Sequence, residues 1–387
     1  MNNNKNTGLG FGKITQFSID EKIDQEKIEK LFLNKIKEME NYLQDSNDNF
    51  AQELLDYFKK NKKIKFLLNK HEEIFIINNQ NDFIKIFKYL IFRYKYMRCS
   101  KEKINLGYPP YLLIEPVSAC NLRCPFCFQT DTSFTRKPYM GVMEFDLFKK
   151  IIDEANDLGI CAITLASRGE PTMHKQFSEM LEYISSKKNI FEIKINTNGN
   201  YLTEKICHAI LKNKVTQIII SSDHYIKKDY ERLRLNSNFE KTVENVDRLF
   251  NIRKKYYPKS IVEIRISGID NEKKLNREKF KEFWIKRSDH VTASFPEERW
   301  NTYKNKKTPK ANDPCVYLWE RMYIWFDGKV NPCDLDYKSY LSYGNFKNNG
   351  IKEIWNNKTI SKLRNDHLEE KRKNIVPCDR CGLEFNK

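Results

Sequence analysis

The chain has 387 residues and carries 69 Lys and Arg against 52 Asp and Glu, a formal net charge of +17. Hydrophobic residues make up 40% and aromatics 13%, enough for a real core, which excludes a disordered or low-complexity chain. No run of about 18 apolar residues occurs, so no membrane span is expected. Met1 to Lys13 is rich in Asn and Gly without an apolar core, so it does not read as a secretory signal, and a cytoplasmic location is expected. The 10 cysteines of such a chain point to metal or redox chemistry rather than disulfides.

Residues 1–105 read as a polar tail followed by helices. Ile28, Leu31, Phe32 and Ile36 recur at helical spacing, as do Leu54, Leu55 and Phe58. Glu73 to Asn78 reads as a short strand and Asp82 to Arg98 as a further helix. The basic runs Lys59-Lys60-Asn61-Lys62-Lys63 and Lys304-Asn305-Lys306-Lys307 suit a phosphate backbone, but Glu and Asp are interspersed throughout, which favours a solvated surface.

Residues 106–300 alternate short apolar runs with amphipathic helices, the mark of βα units on a parallel sheet. The runs are Tyr111–Val117, Cys161–Ala166, Phe191–Asn196, Thr216–Ser221, Ile261–Ser267 and His290–Ser294. Leu147, Ile151, Ile152, Ala155 and Leu158 form a helical stripe closed by Gly159 as C-cap; Phe177, Met180, Leu181 and Ile184 form the next. Six such units fall short of the eight that close a full barrel, so the expected fold is α/β, an open or partial barrel with its chemistry at the C-terminal strand ends. Residues 301–387 make a small α+β domain. Tyr323-Ile324-Trp325-Phe326 and Lys329-Val330-Asn331 flank Asp327-Gly328, a hairpin signal, and Ile351, Ile354, Trp355, Ile360 and Leu363 follow at helical spacing.

The cysteines divide into three sets. Cys120, Cys124 and Cys127 form a C-x3-C-x2-C loop directly after the first strand. Thiolates suit Fe–S iron or zinc, and three ligands instead of four leave a position for an exogenous ligand, which is a catalytic arrangement. Arg168-Gly169-Glu170-Pro171 follows the second strand, Asn196-Thr197-Asn198-Gly199 the third, and Ser221-Ser222-Asp223 the fourth.

Cys120-Asn121-Leu122-Arg123-Cys124-Pro125-Phe126-Cys127, with these strand-end motifs, resembles the signature of the radical S-adenosylmethionine (radical SAM) enzymes; the likeness spans residues 108 to 387. It implies a [4Fe–4S] cluster on Cys120, Cys124 and Cys127 whose open iron binds SAM. Reductive cleavage then gives methionine and a 5′-deoxyadenosyl radical that takes a hydrogen atom from the substrate. By position, the resemblance puts Phe126 near the adenine and Gly169, Glu170 and Pro171 at the methionine amino group. Asn198 would be among the cofactor-binding residues. Ser221 and Asp223 would lie near the ribose or methionine carboxylate, and Arg265 near that carboxylate. Two of these have plain structural alternatives: Asn198-Gly199 as a turn and Arg265 as a strand-face cation. Arg168 stands where the family motif has its first glycine, and its side chain would add a cation near the substrate.

Cys315, Cys333, Cys378 and Cys381 form the second set. Four thiolates make a closed site, and spacing does not separate tetrahedral zinc from a fully ligated Fe–S cluster. The hairpin, Gly344-Asn345-Phe346, Ile354-Trp355-Asn356 and the closing Cys378-x2-Cys381 resemble the SPASM or twitch extension of radical SAM enzymes, which implies one auxiliary [4Fe–4S] cluster serving as electron relay or structure. Of the rest, Cys161 and Cys207 read as small core hydrophobes, and Cys99 lies in a stretch without a pattern.

Relatives with a four-cysteine extension include dehydrogenases and epimerases of sugars and cyclitols. The resemblance therefore implies a small, sugar-like substrate, with oxidation preferred because no spare cysteine is placed as a hydrogen donor; the net charge of +17 would also suit a phosphorylated one. A flavodoxin or ferredoxin, acidic proteins facing a basic surface, is the expected electron donor. The alternatives are a maturase of ribosomally made peptides, an RNA-modifying protein drawn by the charge, and a zinc-stabilised binding module. The first usually carries a winged-helix leader-binding domain, which residues 14 to 105 do not resemble. The second lacks aromatic interleaving of its basic runs. The third does not account for the strand-end motifs.

Overall fold

The computed structural model describes residues 14–18, 24–213, 215–270, 272, 274–294, 301–308 and 313–381. Met1 to Lys13 lies outside them. The chain divides into two compact units, residues 19–104 and residues 1–18 with 105–387.

The smaller unit is helical: α1 (Gln25–Leu33), α2 (Ile36–Gln44), α3 (Asn49–Asn61), α4 (Lys70–Asn78) and α5 (Phe83–Glu102). Phe32 is its hub, with ring centres 5.4 Å from Phe83 and 6.3 Å from Phe58. The strand expected over Glu73 to Asn78 is instead part of α4. Asn69 caps it, its side chain accepting from Glu72 N while Glu72 Oε2 accepts from Asn69 N, a capping box that starts a helix. That cap and the burial of Phe75 and Ile76 outweigh the strand preference of Ile74-Phe75-Ile76-Ile77.

In the larger unit, β1 (Ile14–Ser18) precedes the alternating elements. These are β2 (Tyr111–Ile114), α6 (Phe145–Asp157), β3 (Ala162–Leu165), α7 (Phe177–Ser185), β4 (Glu192–Thr197), α8 (Glu204–Lys212), β5 (Gln217–Ser221), α9 (Lys227–Leu233), α10 (Phe239–Tyr256), β6 (Glu263–Ile269), α11 (Arg277–Trp284) and β7 (His290–Ser294). Strands β2 to β7 are hydrogen-bonded neighbours in sequence order, all parallel, as the six apolar runs foretell. This is the partial (β/α)6 barrel. Gly159 takes φ +73° just past α6, and Ile160 N closes the helix end on Ala155 O at 2.9 Å.

The C-terminal part adds α12 (Tyr317–Glu320), β8 (Met322–Ile324), β9 (Lys329–Asn331), β10 (Gly344–Asn345), α13 (Ile351–Trp355) and α14 (Lys358–Leu368). The expected hairpin forms at Asp327-Gly328, where Gly328 has φ +83° and β8 pairs antiparallel with β9. Two pairings extend the sheet beyond what the sequence indicates. β1 lies antiparallel on β7, and β8 lies parallel on β2, giving a sheet of ten strands among the described residues. The sheet of the C-terminal domain is thus continuous with the barrel.

Strand residues alternate between two environments. Ile163, Leu165, Ile193, Ile195, Ile218, Ile220, Ile264 and Ile266 point to the helices and are fully or almost fully buried in the main core. Each such side chain contributes about 1.5–3 kcal/mol of hydrophobic stabilisation. Cys207 packs in the same core, as expected. The alternating residues on the inner face are mostly polar.

Candidate functional site

β2 ends at Ile114, and the chain turns through Glu115 to Ser118 into the cysteine loop. A bridge between Val117 and Val142 holds the near side of this loop, and Gly141 N donates to Ser118 Oγ at 2.7 Å. Within the loop, Arg123 Nη1 donates to the carbonyls of Cys120 and Leu122, both at 2.7 Å, and Leu122 N approaches Cys120 Sγ at 3.4 Å. Cys127 N closes on Cys124 O at 3.0 Å. These bonds wrap the backbone so that the three thiols feel one another's charge.

Burial pushes Cys120 up to about 11, with the charge of Glu170 adding to it, and pushes Cys127 up to about 12. Cys124 is raised by burial too, but Arg234 pulls against the rise. Thiols this reluctant to ionise lose their protons readily only to a metal. The donor set and its enclosure therefore fit an iron–sulfur cluster. Among the described residues no group of three or more His, Cys, Asp or Glu is arranged to hold a single metal ion. A cubane takes one thiolate on each iron, so its ligands surround a volume.

The other strand ends converge on the loop. Glu170 is 2% exposed and joins two of them: Oε1 accepts from Thr172 N at 3.1 Å, from Thr172 Oγ1 and from Thr197 Oγ1 at 2.7 Å, while Oε2 accepts from Asn198 N at 2.7 Å. Burial raises its pKa while these bonds lower it. Pro171 is buried at the start of a short 3-10 turn, Pro171–Met173. Asn198 Nδ2 donates to Asn121 Oδ1 at 2.8 Å and reaches Cys120 Sγ at 3.7 Å. Gly199 makes the turn after it with φ +79°. Asp223 Oδ1 accepts from Ile269 N at 2.9 Å, and Oδ2 pairs with Arg234 at 2.9 Å.

Phe126 is half-buried in the loop, and Ser221 is half-buried at the end of β5. Arg265 sits lower on β6, its Nη2 2.9 Å from Glu263 Oε1. Arg168 is not a free cation beside a substrate. Its guanidinium is buried against Glu115, Nη2 to Oε1 at 2.5 Å.

Arg234 is a residue the sequence did not reveal. Burial works against its charge, but Asp223 and Cys124 outweigh that and hold it ionised. It lies beyond β5 in a stretch without a motif, so no spacing marked it. The same holds for the inner face of the barrel below. Glu263 links three neighbours there, accepting from Gln217 Nε2 at 2.7 Å, meeting His290 Nδ1 at 2.6 Å and pairing with Arg265. Lys194 pairs with Glu192 at 3.1 Å, and Tyr111 OH bonds to Thr164 Oγ1.

The second cysteine set is also brought together. Cys315, Cys333 and Cys381 pack on Tyr317 and Leu335, and the charge of Cys378 is felt by Cys333. Burial pushes Cys315 up to about 12 while Arg372 opposes it, and burial also raises Cys333 and Cys378 well above the usual thiol range. The donor set fits a closed cluster site. Its loop touches the first: Tyr337 stacks on Phe128, ring centres 5.0 Å apart, and Tyr337 OH donates to Asp131 at 2.8 Å. No helix among the described residues is long and apolar enough to cross a membrane.

Residues 114–283 match the model of the radical SAM superfamily, and residues 315–382 match that of the SPASM iron-sulfur cluster-binding domain. The cofactor-modifying protein of the tungsten-containing aldehyde ferredoxin oxidoreductase of Pyrococcus furiosus is 35% identical over 29% of this chain and 30% of that relative. GTP 3′,8-cyclase of Desulforamulus reducens is 32% identical over 24% of this chain and 28% of that one. These matches span under a third of the relatives' own lengths. Among solved structures, BtrN in complex with AdoMet and 2-DOIA superposes with a TM-score of 0.52 at 18% identity, over 71% of this chain and 93% of that one. Streptococcus suis SuiB bound to S-adenosylmethionine gives 0.50 at 15%, over 84% and 91%. At such identities the likeness is one of fold.

Proposed function

The chain belongs to the radical SAM superfamily and carries a SPASM iron–sulfur domain, and from that premise we propose that it cleaves SAM reductively and takes a hydrogen atom from a small polar, sugar- or cyclitol-like molecule, oxidising or epimerising it. Cys120, Cys124 and Cys127 hold the cluster that binds SAM, and Cys315, Cys333, Cys378 and Cys381 hold the auxiliary one. The first cluster, with SAM bound, supplies the electron and the hydrogen-abstracting radical. The chain's own residues shape and dry the site around it.

In this reading Phe126 lies beside the adenine and the Gly169–Pro171 turn beside the methionine amino group. Asn198, Ser221, Asp223 and Arg265 line the rest of the cofactor. Arg234 pairs with Asp223 and orients it, and Glu170 fixes the Thr197–Asn198 turn.

The observation that carries the substrate class is the inner face of the barrel. Lys194 and Arg265 are each neutralised by a carboxylate two residues below, Glu192 and Glu263. Thr164 and Thr292 line the same face, and Asn196 is exposed near its upper end. Paired charges under hydroxyl and amide groups suit a hydrogen-bonding, polyhydroxylated molecule better than an apolar or strongly anionic one. With four thiolates the auxiliary cluster has no open iron, so its role is electron relay or structure rather than substrate binding. The basic surface suits an acidic flavodoxin or ferredoxin as electron donor.

The test is anaerobic incubation of the reconstituted chain with SAM, dithionite and a panel of hexoses and aminocyclitols, following 5′-deoxyadenosine and product. Stimulation by a member of the panel, with a new ketone or an inverted centre, is expected. Stimulation only by a peptide would overturn the substrate class, and no 5′-deoxyadenosine at all would overturn the reaction.

A further inference from the structure

The turn after β3 runs Ala166-Ser167-Arg168-Gly169-Glu170, and its backbone is under constraint. Ser167 has φ +108°, a conformation that residues with side chains adopt only where their surroundings impose it. Gly169 is pressed against the start of the cysteine loop: a Cβ there would stand 2.2 Å from Val117 O and 2.5 Å from Ala119 O. Glu170 N donates to Ala119 O at 2.9 Å.

Arg168 and Glu115 supply the constraint. Arg168 donates three times to the Glu115 carboxylate: N at 3.2 Å and Nε at 2.7 Å to Oε2, and Nη2 at 2.5 Å to Oε1. The two side chains are 1% and 0% exposed. Gln129, two residues past Cys127, donates to Arg168 O at 2.6 Å and to Ser118 O at 2.7 Å. The guanidinium of Arg168 also lies 5.4 Å from the Phe134 ring centre, and further contacts run to the C-terminal domain. Arg168 Nη1 donates to Tyr337 O at 2.9 Å, and its guanidinium lies 4.3 Å from the Trp325 ring centre. Phe326 N points at Glu115 Oε1, 3.4 Å away.

We propose that Arg168 is a positioning residue: paired with Glu115, it holds the strained turn that presents Gly169 and Glu170 to the three-cysteine loop, and it anchors that turn to the segment just after Cys333. SAM binding at the first site then depends on a contact with the second domain. This rests on the reading that the three-cysteine site takes SAM. A guanidinium does here what a glycine at this position cannot, since only its fork reaches carboxylate, carbonyl and indole together.

A purely structural role and a positioning role separate in a pair of variants. Removing Arg168 alone leaves Glu115 buried and unpaired, which destabilises whatever else Arg168 does. Removing both charges lifts that penalty but does not restore the anchored turn. The reconstituted full chain, Arg168→Met, Arg168→Lys and the double variant Arg168→Met with Glu115→Gln are compared by thermal melting, by equilibrium dialysis of SAM, and by EPR of the reduced protein with and without SAM. The double variant is expected to melt near the parent yet bind SAM about tenfold or more weakly, with a smaller SAM-induced spectral change. Arg168→Lys should fall between. A double variant that matches the parent in SAM affinity and spectrum would show that Arg168 merely neutralises Glu115 and would overturn the proposal. Should the double variant not fold, unchanged SAM affinity in Arg168→Lys does the same. A parent chain that binds no SAM would contradict the underlying reading instead.

Discussion

Cys120, Cys124 and Cys127 are approached by groups from three other strand ends, Glu170, Asn198 and Asp223, and by Arg234 at the end of α9. Cys315, Cys333 and Cys381 are surrounded by Tyr317 and Leu335, with Arg372 as the nearby cation. Burial raises the thiols in both sites, so enclosure alone does not tell them apart. What differs is the number of thiols and the company they keep. Three thiols with Glu170, Asn198 and Asp223 beside them suit a metal that must also take an exchanging ligand, and four thiols, three of them packed on Tyr317 and Leu335, suit one that need not.

Removing a ligand from each site is the sharpest way to break this comparison. Cys120→Ala is expected to abolish 5′-deoxyadenosine formation and to lower iron from about eight to about four per chain, read by iron and sulfide analysis. Retained formation would end the assignment of the first site. Cys378→Ala should also cost about four irons, but SAM cleavage without substrate should persist while substrate turnover fails. If SAM cleavage is lost equally, the two sites are not functionally distinct in the way their surroundings suggest.

A smaller effect tests the polar ring itself. Arg234→Met strips Asp223 of its buried partner and should destabilise the chain by about 3–5 kcal/mol in denaturant unfolding. A loss under about 1 kcal/mol would mean that water reaches the pair. Smallest is a pH effect at His224, one residue beyond Asp223. Burial holds its pKa below the usual histidine value of about 6.5, and its Nδ1 accepts from Ile226 N at 3.0 Å. The unfolded chain therefore binds the proton more readily. This contribution to stability is present above about pH 6.5 and is lost as the pH falls through the folded value. His224→Gln should flatten that slope in melting curves.

Much of this was legible in the sequence. The six parallel strands were, because each carries an apolar run flanked by helical periodicity, and the outward residues of β3 to β6 are the isoleucines and leucines of those runs. The cysteine sets were legible because ligand spacing is local. What was not legible depends on partners far along the chain. β1, Ile14-Thr15-Gln16-Phe17-Ser18, lacks the period-2 alternation of a strand, and its place comes from pairing with β7. The parallel pairing of β8 with β2 depends on sheet closure rather than on the hairpin that marks β8. Strand propensity misread α4, where a capping box decided the outcome. Arg168 looked like a loose cation because Glu115, its partner, is 53 residues earlier.

In the proposed function one site is open to SAM and the other is closed. The most direct measurement is EPR of the reduced, anaerobically reconstituted full chain with and without SAM, on samples assayed for iron, sulfide and zinc. About eight irons per chain are expected, with two cluster signals of which SAM shifts only one, and that one should be missing from Cys120→Ala. About four irons with one zinc, or a SAM response in the signal that survives Cys120→Ala, would contradict the account.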